Sequence, residues 1–505
     1  MEILNKTIEQ IRKQYGVAGG ILIAIKDGKV LLKECFGQAD AEKSKPVDSK
    51  TLFQIASCSK AFTTMVAGQL CDEGKMTWDT PVKQLMPDFR MVDKYAEEHV
   101  TPRDMACHRT GLCRHDVMRT FVREDRADLV RRIAYFPPAY GFREKYSYQN
   151  QMYVALGYLC ERLTGKTWEQ LLKEKIGDPL GMDMYFRGID TIEDKNAAMP
   201  YAQKDGKIFR VDEVVGKASN PCGGLYTNLD SLERWIRMLL GEGELEGKRI
   251  ISKEGFAELI KPNVVIPGKP SHPKEMQQSY AMAWINSIYK GKLLISHSGS
   301  TNGFNSMVGF FPEENAAFAL SVNTVDTPAY SCLKYLLCDL LLNDVEEDYS
   351  FLIDIYNRRV NLGPDYTEEE QKDLPLSEEQ AKKYLGTYYN PGYGVMEFVY
   401  EDGRLRQHYG LMDQPFNYIG DDKFVGFEVL DTRTYRANFT EDGNLVTRDL
   451  LYDKATNKQF ITVQTSGGNT FYIVIDYDKP TDEDGEQYHT YFLNMVDEAD
   501  LLAAM

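Results

Sequence analysis

The stretch Gln54-Ile55-Ala56-Ser57-Cys58-Ser59-Lys60 places a hydroxyl and an amine three residues apart. Apolar residues follow at helical spacing, namely Phe62, Met65, Val66 and Leu70. Ser57 is therefore expected at the start of a helix, with Lys60 on the same helix face and within reach of the Ser57 oxygen. A helix N-terminus also offers free N–H groups and positive potential. A nucleophile, a basic group and an environment that stabilises an oxyanion are what acyl transfer needs.

The Ser-x-x-Lys spacing is common by itself. It recurs at Ser271–Lys274, Ser287–Lys290 and Ser331–Lys334, where a surface serine and a solvated lysine are the ordinary interpretation. Two further short motifs follow Ser57 along the chain, Tyr148-x-Asn150 and His297-Ser298-Gly299. Because they lie far apart in the sequence, only folding can bring them together with Ser57.

Several elements must position these motifs. Residues 3–15 predict an amphipathic helix, and Asp27-Gly28 predicts a hairpin turn. Residues 151–163 predict a buried helix that ends at Gly165, and Asn150 can serve as its N-cap. Strands are predicted over 280–288, 293–297, 307–311 and 316–322, and a helix over 332–342. The polar stretch 185–215 predicts a loop that covers the site.

The sequence pattern changes after residue 355. Residues 356–378 are charged and contain two prolines, which predicts a linker. Residues 379–505 alternate aromatic and polar residues between Asp-Gly and Gly-Gly turn signals, which predicts a small antiparallel barrel or sandwich. The predicted organisation is a large domain over 1–355, the linker, and an all-β domain over 379–505.

Composition and charge exclude some classes of partner. The chain has 505 residues and a formal net charge of −17, which argues against nucleic acid or an anionic membrane as a partner. Nine cysteines without a Cys-x-x-Cys pair favour free thiols. The N-terminal residues do not have the pattern of a signal peptide, and no apolar run reaches the ~20 residues of a membrane helix. A cytoplasmic location is expected, although a chain whose leader had been removed would have the same sequence.

The three motifs, in this order, resemble those of the serine β-lactamase and penicillin-binding-protein superfamily, which pairs Ser-x-x-Lys with Ser-Asp-Asn and Lys-Thr-Gly. Tyr148-x-Asn150 is similar to the second motif of the class C branch, which includes peptidases and esterases. The flanking segments that also match are His108–Leu112, Pro179–Met182, Gly223–Leu225 and Ser300–Phe304. The resemblance covers roughly residues 10–345. It implies an α/β (α+β) fold with an antiparallel sheet flanked by helices and an inserted helical region.

The resemblance also implies roles for the motif residues. Ser57 would attack an acyl carbon to give an acyl-enzyme. A Lys60 cation would favour the phenolate of Tyr148, which would take the Ser57 proton, pass it to the leaving group and later activate water. Asn150 would orient Lys60 and bond the substrate amide. The backbone N–H groups of Ser57 and of Ser300, expected on an edge strand, would form the oxyanion hole. No cofactor or metal is implied.

The third motif departs from the family pattern. His297, Ser298 and Gly299 are expected to bind substrate, yet the family often has lysine where His297 stands. Because neutral histidine binds a carboxylate less well than lysine does, the sequence favours an esterase, amidase or aminopeptidase over a β-lactamase or D,D-peptidase. The expected substrate is a small acyl or peptide-like molecule. An acyltransferase with a non-water acceptor and a catalytically silent binding or sensor protein are the alternatives.

Two features lie outside the three motifs. The all-β domain resembles a barrel appended to some peptidase relatives, which implies contacts in a homo-oligomer or a contribution to the pocket. Ligand binding by its own aromatic residues and a passive stabilising role are equally open. His108 and His115 share one loop, where structural hydrogen bonding is favoured over metal ligation because no matching ligand set accompanies them.

Overall fold

The chain divides into two compact units in a computed structural model. The first unit holds Met1–Leu112 and Arg123–Arg359, and the second holds Cys113–Val122 and Val360–Met505. The structure describes residues 2–116, 125–188, 192, 195–204, 207–211, 216–268, 270, 272–325, 327–345, 373–410 and 412–427, and the backbone of strands over 434–439, 445–448, 458–464, 470–480 and 488–494. Most of the predicted linker, residues 356–372, lies outside the described residues, and the domain boundaries stay a prediction.

The described helices of the first unit are mostly short. In chain order they are α1 (Glu2–Gln14), α2 (Ser59–Asp72), α3 (Val82–Leu85), α4 (Lys94–His99), α5 (Pro102–Ala106), α6 (Arg126–Arg132), α7 (Asn150–Thr164), α8 (Trp168–Leu172), α9 (Asp178–Leu180), α10 (Asn220–Gly223), α11 (Leu229–Leu240), α12 (Lys253–Ile260) and α13 (Ala329–Leu342). Single 3₁₀ turns cover Ala56–Cys58, Ile133–Tyr135, Lys217–Ser219 and Pro312–Glu314.

The strands of the first unit are, in chain order, β1 (Gly19–Lys26), β2 (Lys29–Asp40), β3 (Lys45–Pro46), β4 (Phe53–Gln54), β5 (Tyr185–Phe186), β6 (Tyr201–Lys204), β7 (Lys207–Arg210), β8 (Leu225–Thr227), β9 (Glu244–Leu245), β10 (Lys248–Arg249), β11 (Val264–Val265), β12 (Glu275–Tyr280), β13 (Ile285–Tyr289), β14 (Lys292–Thr301), β15 (Phe304–Phe311), β16 (Ala316–Val322) and β17 (Thr324–Val325). The main sheet has the order β11-β12-β13-β14-β15-β16-β1-β2-β3.

The main sheet is antiparallel and joins the two ends of the first unit. β1 lies between β2, its hairpin partner across Asp27-Gly28, and β16, with Gly20 opposite Val322. Asn323 Oδ1 accepts a hydrogen bond from Gly19 N at 2.7 Å, a contact between residues 304 positions apart. β1 is buried along nearly its whole length, because helices cover both faces of a central strand.

Helices α1 and α13 cover one face of the sheet, where their apolar residues share a core with β1, β15 and β16. Helix α2 is enclosed on every side, since each residue from Ser59 to Leu70 is buried. The predicted antiparallel sheet with flanking helices and an inserted helical region is confirmed. None of the described helices is both long and apolar enough to cross a bilayer.

The second unit contains helix α14 (Glu378–Ala381) and an antiparallel sheet in which strands that are neighbours in the chain are neighbours in space. Its strands are β18 (Gly386–Asn390), β19 (Gly394–Glu401), β20 (Arg404–Tyr409), β21 (Met412–Gly420), β22 (Lys423–Phe427), β23 (Thr434–Phe439), β24 (Leu445–Arg448), β25 (Lys458–Gln464), β26 (Thr470–Pro480) and β27 (Tyr488–Asn494). The predicted all-β character of this region is confirmed.

Two local predictions were wrong. Stretch 185–215 is not simply a loop, because it holds β5, β6 and β7. The run 280–288 is not one strand either, since it breaks into β12 and β13 around a turn at Ala283, whose φ is +70°.

Candidate active site

Ser57 lies in the single 3₁₀ turn that immediately precedes α2. The residue before it, Ala56, has a φ of +46°, a left-handed conformation that is unfavourable for alanine. Strained backbone of this kind is concentrated at functional sites. The Ser57 side chain is partly exposed and sits at the positive end of the fourteen-residue helix α2.

Lys60 is fully buried, and its ammonium nitrogen contacts three oxygen atoms. Nζ lies 3.0 Å from Ser57 Oγ, 2.7 Å from Asn150 Oδ1 and 2.7 Å from the carbonyl oxygen of Cys222. These partners come from the 3₁₀ turn before α2, from α7 and from α10. The contacts suit either protonation state. An ammonium donates to all three oxygens, whereas a neutral amine donates to the amide and carbonyl oxygens and turns its lone pair towards Ser57.

Tyr148 brings a phenol to the same serine. Its Oη lies 2.9 Å from Ser57 Oγ, across 91 residues of chain. Lys60 Nζ is 4.9 Å from the centroid of the Tyr148 ring, within the range of a cation–π contact. Ser57 Oγ therefore has two proton-exchanging groups within hydrogen-bonding distance.

Asn150 is the first residue of α7, not its N-cap. Gln149 is the N-cap and accepts a hydrogen bond from Gln151 N. The expectation that Asn150 caps this helix is therefore wrong, because its side-chain oxygen is turned to Lys60 instead. The end of α7 follows the sequence prediction, with Gly165 in the left-handed conformation at φ +72°.

The third motif lies on β14, which packs against the turn that holds Ser57. A Cβ atom on Gly299 would lie 2.2 Å from Ile55 O and 3.0 Å from Ser57 N. Only glycine allows the strand to come this close to the turn. Ser298 is partly buried beside it, and Ser300 is exposed one residue further along.

Ser300 was expected on an edge strand, but β14 lies inside the sheet between β13 and β15. Only the first half of β14 is paired with β13, over Lys292–Ser296. The second half of β14, residues 297–301, pairs with β15 and extends beyond the end of β13. This half, called here the projecting segment, offers a strand edge next to Ser57.

The His297 ring is buried, and both of its nitrogens have partners in this conformation. Nε2 lies 2.8 Å from Tyr280 Oη, and Nδ1 lies 2.6 Å from the carbonyl oxygen of Ser298. Burial, and secondarily the positive charge of Lys60, lowers the pKa of His297 to about 3. The ring is therefore neutral at pH 7, as the sequence predicted, but neither nitrogen is available to a substrate atom. Its geometry fits a positioning role better than direct substrate binding.

Cys58, next to the candidate nucleophile, is a packed residue. Its side chain is 2% exposed, and burial raises the pKa of its thiol to about 12. Its Sγ donates a hydrogen bond to the carbonyl oxygen of His297 at 3.3 Å. A neutral, enclosed thiol is not a nucleophile at pH 7.

Two contributors to the site escaped the sequence analysis. The carbonyl oxygen of Cys222 has no sequence signature as a partner of Lys60. Tyr280, the partner of His297, is one buried tyrosine among many. Within the described part of the chain, no three His, Cys, Asp or Glu side chains are grouped so as to hold a metal ion.

Comparison with known proteins places the chain in a family. The family model described as Beta-lactamase matches residues 4–338. The chain belongs to the beta-lactamase family. A second family model, described as Mobile element protein CD1107-like, matches residues 438–505.

Relatives of this beta-lactamase family member include hydrolases. Unguisins hydrolase ungD′ of Aspergillus campestris is 26% identical over 408 residues, which cover 76% of this chain and 75% of that protein. A Beta-lactamase of Pseudomonas fluorescens is 21% identical over 345 residues, which cover 64% of this chain and 93% of that protein. The family and these relatives support a hydrolase with the beta-lactamase fold.

Solved structures share the fold. The octameric penicillin-binding protein homologue from Pyrococcus abyssi superposes with a TM-score of 0.58 at 21% identity, over 97% of this chain and 99% of that chain. The D-amino acid amidase from Ochrobactrum anthropi SV3, solved with L-phenylalanine amide, gives a TM-score of 0.56 at 22% identity, over 71% and 99%. The predicted relationship to the β-lactamase and penicillin-binding-protein superfamily is confirmed.

Proposed function

We propose that this protein is a serine hydrolase that works through a covalent acyl-enzyme on Ser57. The observation that supports this most is the position of Ser57 Oγ, 3.0 Å from Lys60 Nζ and 2.9 Å from Tyr148 Oη. A hydroxyl held against two groups that can exchange its proton is an activated nucleophile. A silent binding protein would not need all three side chains in contact.

In the proposed reaction, Tyr148 as the phenolate takes the proton of Ser57 Oγ while that oxygen bonds to the acyl carbon. The Lys60 ammonium favours the phenolate because it lies 4.9 Å from the ring centroid. The tetrahedral intermediate collapses when Tyr148 returns this proton to the departing nitrogen or oxygen, leaving Ser57 acylated. Water then loses a proton to Tyr148 as its oxygen attacks the ester carbon. Collapse of the second tetrahedral intermediate releases the acid, and Tyr148 returns that proton to Ser57 Oγ.

The oxyanion hole is proposed at the backbone N–H groups of Ser57 and Ser300. The close approach of Gly299 to Ser57 N supports this, because it brings the projecting segment beside the turn. The N-terminus of α2 adds positive potential at the same place. Asn150 would hold Lys60, and Ser298 and Gly299 would lie along the acyl portion of the substrate.

The proposed substrate is an amide or ester of a small acyl or peptide-like group. The D-amino acid amidase among the similar structures supports an amide. The neutral His297 favours a substrate that needs no carboxylate contact at this position. β-Lactam hydrolysis is therefore expected to be slow or absent.

A fluorophosphonate probe tests the nucleophile, because it forms a stable covalent adduct with activated serines. Wild-type protein is expected to gain one adduct in intact-mass spectra, and Ser57→Ala to gain none. Ser331→Ala is the matched control, since Ser331 begins another Ser-x-x-Lys sequence, and it should label as wild type does. Labelling that survives in Ser57→Ala would contradict the proposal.

A substrate panel then separates the reaction types. D- and L-aminoacyl anilides and p-nitrophenyl esters should be turned over, and nitrocefin should not. Added amine or alcohol acceptors report transferase activity if they divert product from the free acid. Nitrocefin turnover comparable to that of the esters would contradict the interpretation of His297.

We also propose that the protein forms a homo-oligomer. The octameric penicillin-binding protein homologue supports this because its fold matches over 97% of the present chain. Light scattering coupled to size-exclusion chromatography measures the state directly, and a mass near the 57.7 kDa of one chain would contradict it.

A further inference from the structure

His108 holds an unusual place next to the candidate catalytic residues. It follows α5 and adopts a φ of +57° while its side chain is completely buried. Left-handed backbone is more accessible to histidine, asparagine and aspartate than to most residues. A buried side chain on such backbone points to a specific requirement for this residue.

The requirement is visible in two hydrogen bonds that bracket Tyr148. The backbone N–H of Ser147 donates to the carbonyl oxygen of His108 at 2.8 Å. The backbone N–H of Gln149 donates to the Nδ1 atom of the same residue at 2.9 Å. The backbone on each side of Tyr148 is thus fastened to a single residue.

The His108 ring also packs against Tyr148 itself. The two ring centroids are 4.3 Å apart at an angle of 41°. The ring centroid of Tyr280, which contacts His297, lies 4.7 Å from the ring centroid of His108. His108 therefore limits both the backbone and the ring of Tyr148, and the ring carries the oxygen that contacts Ser57.

The chemistry of the ring fits this task. Because Nδ1 accepts from Gln149 N–H, a neutral His108 carries its proton on Nε2. Asparagine can supply the same acceptor, since its Oδ1 is separated from Cα by the same number of bonds as Nδ1. Leucine and glycine cannot supply it.

We propose that His108 is a positioning residue that sets the Tyr148 hydroxyl at hydrogen-bonding distance from Ser57. The consequence of this positioning for catalysis rests on the proposed function. The control of the Tyr148 Oη to Ser57 Oγ distance does not depend on that function. A buried histidine that only fills space would affect stability and leave this distance unchanged.

Four variants test the proposal. His108→Asn keeps the acceptor and tolerates positive φ, His108→Leu keeps bulk without the acceptor, and His108→Gly tolerates positive φ without the acceptor. His99→Asn is the matched substitution at an exposed histidine. The first readout is the crystallographic Tyr148 Oη to Ser57 Oγ distance. It should stay near the 2.9 Å of the parent in the Asn variants, and exceed hydrogen-bonding length with Leu and Gly.

The second readout is the rate of reaction with the fluorophosphonate, separated into kinact and KI. We expect kinact to fall ~100-fold in the Leu and Gly variants, with KI little changed, because a small misplacement of a catalytic group has this effect. His108→Asn should keep most of the wild-type rate. Leu and Gly variants with the parent distance and kinact, but lowered thermal stability, would overturn the proposal. Absence of Ser57 labelling in wild type would instead refute the proposed function, and the crystallographic distances would still decide the positioning role.

Discussion

Lys60 Nζ donates a hydrogen bond to Asn150 Oδ1 across 2.7 Å, although 90 residues separate the two in the chain. The bond ties the start of α2 to the start of α7, and it lies in the buried part of the site. The neighbouring residue Gln149 performs the capping of α7. Two adjacent polar residues therefore have separable tasks.

Asn150→Ala should impair the reaction of Ser57 more than it impairs folding. Lys60 would lose a contact that holds it beside Ser57, and a small misplacement of a catalytic group lowers the rate strongly, so kinact for the fluorophosphonate should fall ~10- to 100-fold. Gln149→Ala is the matched variant. It should lower the free energy of unfolding by about 0.5–1 kcal/mol through the lost cap and leave kinact within about threefold. If Gln149→Ala lowered kinact more than Asn150→Ala does, the roles assigned to these two residues would be wrong.

Gly299→Ala should uncouple β14 from the Ser57 turn. The added methyl would lie 2.2 Å from Ile55 O and 3.0 Å from Ser57 N, so the backbone must move. We expect a loss of about 1–3 kcal/mol of stability and a decrease of ~100-fold or more in kinact.

Gly223→Ala is the control for that substitution, because it faces the same turn with more room. Its methyl would contact the Ala56 backbone at 3.5 Å or more, which is ordinary van der Waals distance. A small effect is expected on both the denaturation midpoint and kinact. Equal losses in the two variants would contradict the view that the approach at Gly299 is what matters.

The buried His297 should make the first unit less stable in mild acid. Burial holds its pKa at about 3, whereas an unfolded histidine titrates near 6.5. Between these values the unfolded state binds a proton that the folded state does not. Stability is therefore complete above about pH 6.5 and declines as pH falls towards 3, by about 1.4 kcal/mol per pH unit within the window.

Intrinsic tryptophan fluorescence reports the unfolding of the first unit. All four tryptophans, Trp78, Trp168, Trp235 and Trp284, are buried in the first unit. Thermal unfolding of wild type should show a steeper decline of Tm from pH 7 to pH 5 than His297→Gln does. His99→Gln, at an exposed position, should keep the wild-type slope. Parallel slopes for wild type and His297→Gln would rule the prediction out.

A buried ion pair between β12 and α13 gives a fourth prediction. Lys334 Nζ lies 3.4 Å from Glu275 Oε2, and the Glu275 carboxylate also accepts from Tyr335 Oη and Ser287 Oγ, both at 2.8 Å. Glu275→Gln would leave the Lys334 charge buried without its counter-charge. We expect a loss of about 3 kcal/mol in the free energy of unfolding, measured by denaturant titration.

The exposed pair between Arg162 and Asp88 is the comparison for that experiment. Its atoms approach to 2.9 Å, but the side chains are 38% and 63% exposed. Asp88→Asn should cost less than about 1 kcal/mol, since solvent screens such a pair. A Glu275→Gln variant no less stable than Asp88→Asn would mean that Lys334 finds another partner or loses its proton.

Local patterns were enough to predict much of this molecule. The contact between Ser57 and Lys60 follows from helical spacing, and the end of α7 follows from Gly165. The capping box formed by Thr167 and Gln170 is present as its sequence predicts. In each case the information lies within a few residues of the feature, where dihedral preferences and hydrogen-bonding side chains act directly.

Features that depend on distant backbone could not be predicted. The acceptor at Cys222 is a carbonyl group that every residue possesses. The edge at Ser300 depends on β13 ending opposite Ser296, which the turn around Ala283 determines. Asn150 satisfied a local rule for N-caps, but its side-chain oxygen contacts the buried Lys60 amine instead. The family resemblance supplied the association of the three motifs, which no local pattern contains.

The pairing of β1 with β16 has a consequence for how the protein is made. Gly19 meets Asn323 across 304 residues, so the apolar strand β1 leaves the ribosome long before its neighbour exists. Through most of translation the β1–β2 hairpin therefore lacks β16, its partner on the other edge of β1. An open strand edge of this kind is exposed to aggregation.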